Sequence, residues 1–118
     1  MTSVKVKADY IGDEGSYIVF VASVDESQIF DTAHESFGFG YVENREITGI
    51  ERYPFILEEH DKNLALMDWG TYEARNIATV DILNRSLKVG ELITYNEIDE
   101  DKQRVGPYVY RIVSIEAF

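Results

Sequence analysis

His34 and Glu35 open the segment HESFGFGY (34–41), where a histidine stands beside a carboxylate and two glycines alternate with aromatic rings. Two chemistries use such residues: a general base oriented by an acid, and a glycine-rich cradle for a phosphate. A cradle needs its glycines after a strand and before a helix, so that the helix N-terminus faces the anion. Here Gly38 and Gly40 follow the segment expected to be helical and would lie at its negative end. They are expected to stop that helix and to mark a close backbone approach. The other histidine, His60, sits in the polar run Glu58–Asn63, and neither histidine has the spacing of a metal-ligand motif. An enzyme using His34 or His60 with a carboxylate is therefore the third of three functional readings, and no cofactor or metal is expected.

Asp99, Glu100 and Asp101 have the look of calcium chemistry, but Arg104 and Tyr110 stand where an EF-hand loop needs its glycine and its bidentate acid. No serine has a nucleophile-elbow setting and no Walker-type sequence occurs. With no cysteine in the chain, disulfides, thiolate zinc sites and cysteine nucleophiles are excluded. The single tryptophan, Trp69, is expected either to fill the core between sheet and helix or to serve as an interface aromatic.

Charge is the most distinctive feature. The chain carries 22 acidic and 11 basic side chains for a formal charge of −11, a balance that argues against direct nucleic-acid binding. Between Lys7 and Arg45 there is no Lys or Arg, while eight acids occur there. Asp13 and Glu14 in a turn, Glu26, Asp31 and Glu35 on the expected helix, and Glu43 with Tyr17 and Tyr41 would form one acidic–aromatic face. Such a face can imitate a row of phosphates and steer encounter with a basic active site. The first reading is accordingly a small non-catalytic protein that occludes a basic partner. Immunity proteins of nucleases and nucleic-acid mimics that block a DNA- or RNA-binding protein are the models for it.

The elements that must position these residues follow from periodicity. Val4, Val6, Ala8 and Tyr10 alternate with polar residues, Gly12–Gly15 supplies a turn, and YIVFVASV (17–24) is apolar on both faces, so a hairpin is expected over residues 3–24. Asp25 and Gln28 are spaced as a capping box, and Ile29, Phe30, Ala33 and Phe37 fall on one helical stripe, predicting a helix over about 25–37. Residues 41–42, 47–53 and 55–57 read as extended, with an edge or bend at Pro54, and residues 64–75 fit a short helix or a strand. Three strands are expected at 77–83, 91–97 and 108–115.

The expected fold is α+β: a mainly antiparallel curved sheet or partial barrel with one packed helix, as a single domain of 118 residues. The tail VGELITY…YVYRIVSIEAF resembles the closing hairpin of PUA-like and other small β-barrel domains. That resemblance implies the second reading, a nucleic-acid or small-ligand binding module, with Arg45, Arg52, Arg75, Arg85 and Lys88 gathered into a groove. No leader or membrane-spanning run is present in the sequence, so a cytoplasmic protein is expected, monomeric or homodimeric through strand edges.

Overall fold

The computed structural model describes residues 2–12, 14–33, 36–46, 49–70, 77–98 and 104–118. Its strands are β1 (Thr2–Tyr10), β2 (Tyr17–Val24), β3 (Ser36–Glu46), β4 (Gly49–Glu59), β5 (Ala65–Asp68), β6 (Ile77–Val80), β7 (Leu92–Ile98) and β8 (Arg104–Ala117). Each pairs antiparallel with its neighbours in sequence, and β8 returns to β1, closing an eight-stranded barrel. The expectation of α+β with a packed helix is thus corrected to all-β, although the antiparallel sheet itself was read rightly. Among the described residues no helix is long and apolar enough to cross a membrane.

The helix expected over 25–37 fails for a local reason. Asp25 does accept hydrogen bonds from the backbone N–H groups of Ser27 and Ile29, as a cap would. The chain then turns back instead of winding on: Gln28 adopts a φ of 64°, and Phe30 bridges to Val24 across the turn. The apolar stripe still reaches the core, because Phe30 and Phe37 are both buried, with ring centroids 6.2 Å apart, and Phe30 lies 5.8 Å from Phe20. Nor do Gly38 and Gly40 end a helix. Both lie in β3, opposite Ala22 and Phe20 of β2. The close approach expected of them is real: a Cβ on Gly40 would meet the Val19 carbonyl oxygen at 2.1 Å.

Period-two alternation sends one side of every strand into the barrel. Phe20, Ile18, Leu57, Met67, Ile93, Ile112, Val6 and Val80 are fully buried there. The two ends differ. At the lower end, where β2, β4 and β6 finish, Phe30, Phe37, Ile82, Leu83 and Leu87 plug the barrel. Arg85 fixes this plug, donating to the Asp81 carbonyl at 3.0 Å and to Glu91 at 3.1 Å. The upper end, where β1, β3, β5 and β7 finish, is lined by aromatic side chains and forms the mouth discussed below. Pro54 is paired with Tyr41, and β5 reaches only Ile56–Glu59 of β4, so among the described residues no strand pairs with β4 on the proline's other side.

Candidate functional site

Three strands bring four tyrosines to the inner face near the upper end. Tyr10 of β1 is opposite Tyr110 of β8, Tyr110 is opposite Ile93 of β7, and Tyr108 is opposite Tyr95. Trp69, two residues beyond Met67 on β5, continues the same inward phase, and Phe55 of β4 completes the tier. The rings touch in sequence: Phe55–Trp69 at 5.7 Å, Trp69–Tyr95 at 6.1 Å, Tyr95–Tyr108 at 5.3 Å, Tyr108–Tyr10 at 6.1 Å and Tyr10–Tyr110 at 5.3 Å. Phe55, Tyr95 and Tyr110 are buried, whereas Tyr10, Trp69 and Tyr108 are only partly covered and face the mouth.

A carboxylate stands among them. Glu97 lies opposite Ala78, on the inner face of β7 two residues beyond Tyr95, and accepts a hydrogen bond from the Tyr95 hydroxyl. Burial, and then the Glu97 carboxylate, hold the Tyr95 phenol far above its ordinary range. Burial pushes Tyr110 up to about 12 and raises Tyr108 as well, with Glu97 adding to both. All three are therefore neutral near pH 7 and offer O–H donors inside an otherwise apolar barrel.

A second cluster occupies the outer wall. Tyr17, Glu43 and Arg52 are cross-strand partners on β2, β3 and β4, and Arg52 Nε donates to Glu43 Oε1 at 2.7 Å. Tyr41 lies 6.2 Å from Tyr17, ring to ring, and Lys7 and Arg52 sit over the Tyr17 and Tyr41 rings at 4.5 and 5.5 Å. The hydrogen bond from Arg52 is the main cause that holds Glu43 below the usual carboxylate range, and Tyr17 adds to it. Burial, followed by the hydrogen bonds with Glu43 and Tyr41, pushes Tyr17 up to about 12. A depressed carboxylate stabilises the fold above its unfolded pKa, and that contribution is lost as pH falls. Glu43→Gln is therefore expected to lower the thermal midpoint at neutral pH and to flatten its decline below pH 4.5, the ordinary value for this carboxyl. Parallel melts of parent and variant from neutral to acid check this, and equal slopes would dismiss the role given to Glu43.

The acidic–aromatic set expected from sequence is only partly brought together. Tyr17, Tyr41 and Glu43 meet on the outer wall, as just described. Glu14 and Tyr17 also help to line a 510 Å³ hollow at the upper rim, with Lys7, Asp9, Tyr10, Ile11 and Gly15. Glu26 and Asp31 lie instead beyond the lower end of β2, where Asp31 caps the Ala33 N–H. Asp13, Glu35 and His34 lie outside the described residues, as do Asp99–Asp101 and Arg75. His60 is exposed in the β4–β5 turn, and among the described residues no group of three or more metal-ligating side chains converges. Of the bases proposed to form a groove, Arg45 and Arg52 are on the upper wall and Arg85 and Lys88 at the lower end.

Sequence reasoning placed Trp69 in the core or at an interface but missed Tyr10, Tyr95, Tyr108, Tyr110 and Glu97 as a group. The available signal was the spacing of two in Tyr95–Glu97 and Tyr108–Tyr110, which puts each pair on one face of a strand. Comparisons with protein-family models, curated proteins and solved structures found no match for this chain.

Proposed function

We propose that this barrel is a small-molecule binding protein whose ligand enters the upper mouth and rests against Tyr10, Trp69 and Tyr108. Eight-stranded barrels are near the size at which the interior is either filled by side chains or holds one small ligand. The lower part of this interior is filled by buried apolar side chains. What supports ligand binding above is one observation: partly uncovered aromatic rings and a carboxylate share the inner face at the end away from the plug. Large apolar faces with a few placed polar groups are the usual composition of small-molecule sites.

Occlusion of a basic partner by an acidic face draws less support. Glu14 and Glu26 flank β2 at its opposite ends, roughly 25 Å apart at the usual strand rise. Glu43, opposite Tyr17 at the Glu14 end, is paired with Arg52.

The test is a panel of small aromatic and aliphatic compounds screened by backbone-amide chemical-shift mapping. Shifts are expected to cluster at Tyr10, Trp69, Glu97 and Tyr108. Clustering on the outer wall around Tyr17 and Glu43 would refute the mouth as the site, as would a panel that leaves the mouth amides unmoved.

A further inference from the structure

Given that the mouth is a ligand site, we infer that the ligand it is built for is a small organic cation, held by the aromatic faces and by Glu97. Ring geometry is the first argument. Trp69 stands at 85° to Tyr95 and at 80° to Phe55, and Tyr10 stands at 66° to Tyr108. Rings set edge to face turn their negative π surfaces in several directions and form the corner of a box. A flat neutral ligand is best held in a parallel slot, whereas a rounded cation gains from several faces at once.

Charge is the second argument. Glu97 raises the phenols of Tyr95, Tyr108 and Tyr110 together, so its negative potential spans the tier. Among the residues whose side chains are described, no lysine, arginine or histidine opposes it from inside. Lys5 and Lys7 on β1, Arg45 and Arg52 on β3 and β4, and Arg111 on β8 are all in the outward phase of their strands. An anion entering the mouth would meet a carboxylate and no described counter-charge. A cation would exchange its water for π faces, tyrosine oxygens and that carboxylate, and the overall charge of −11 favours its approach.

Trp69 is the only tryptophan, so its fluorescence reports on the mouth directly. The probes are choline, the neutral isostere in which a tert-butyl group replaces the trimethylammonium, and tert-butylacetate as the matching anion. Choline is expected to perturb the emission in the millimolar range and to bind about tenfold more tightly than the neutral alcohol, with the anion inert. In Glu97→Gln, checked for an unchanged melting profile, that preference is expected to shrink to about twofold. Equal binding of choline and the alcohol by the parent overturns the cation inference without needing any variant. It leaves the mouth standing as a site, since a neutral probe has then been bound there. No response to any of the three also overturns the cation inference, and the shift-mapping panel then decides the fate of the site itself.

Discussion

Gly40→Ala is expected to cost about 3 kcal/mol, a large share of the stability of a domain this size. The added Cβ would stand 2.1 Å from the Val19 carbonyl oxygen and 2.7 Å from both Cα and Cβ of Phe20. These are backbone or near-backbone atoms of the paired strand, so no rotamer change relieves the contact. Gly40 lies between Phe20 of β2 and Phe55 of β4 in one cross-strand row, and Gly38 lies likewise between Ala22 and Leu57. A side chain at either glycine would have to push β3 off β2, opening the ladder between these two strands. The matched control is Gly90→Ala. That position has nothing within 4 Å and a φ of +95°, so alanine there brings backbone strain without a clash, about 1 kcal/mol. Denaturant titration of both variants checks the difference. Equal costs at the two positions would show that β3 can move aside.

Those two glycines also explain why the middle of the chain was misread. In SFGFGYVENRE the inward positions of β3 hold Gly38, Gly40 and Val42, while Phe39 and Tyr41 point outward. The usual alternation is inverted, because the inward space is already filled by Phe20 and Phe55 from the flanking strands. Reading hydrophobic positions as buried ones therefore hid a strand and extended a helix into it. The residues before it compounded the error, since Asp25 makes cap-like hydrogen bonds in a turn that positive φ at Gln28 then reverses. The first hairpin was legible because its inward residues, Val4, Val6, Ala8, Ile18, Phe20 and Ala22, are all apolar and its turn is rich in glycine. In the last third, the strand expected at 91–97 is offset by one residue from β7, that expected at 108–115 lies within β8, and that expected at 77–83 contains the shorter β6. The aromatic tier was not legible as a unit. Each tyrosine pair declares a face of its own strand, but closure of β8 onto β1 is what sets Tyr110 against Tyr10. That pairing spans nearly the whole chain and has no local signature.

The same tier makes the fold sensitive to base. Tyr95 and Tyr110 are both raised, chiefly by burial, and a group raised in the folded state contributes stability that is complete below its unfolded pKa. The unfolded value is about 10 for a phenol. Tyr110 titrates in the fold at about 12, and Tyr95 is held up strongly as well. Stability is therefore expected to be flat from neutral pH to about 9.5 and to fall steadily above 10. The combined loss is roughly 3 kcal/mol by pH 11 and about 5 kcal/mol by pH 12, comparable with the whole stability of a small domain. Unfolding and the ionisation of these two buried rings should then appear together as one cooperative transition between about pH 11 and 12. Tyr95→Phe removes one of the raised phenols and also the hydroxyl that Glu97 accepts from. That variant is expected to start less stable at neutral pH but to lose stability less steeply with base. Circular dichroism followed alongside absorbance across the range checks both statements. Full tyrosinate absorbance developing near pH 10 on an intact fold would mean that these phenols are open to solvent, and the tier could not then be the packed floor of a binding site.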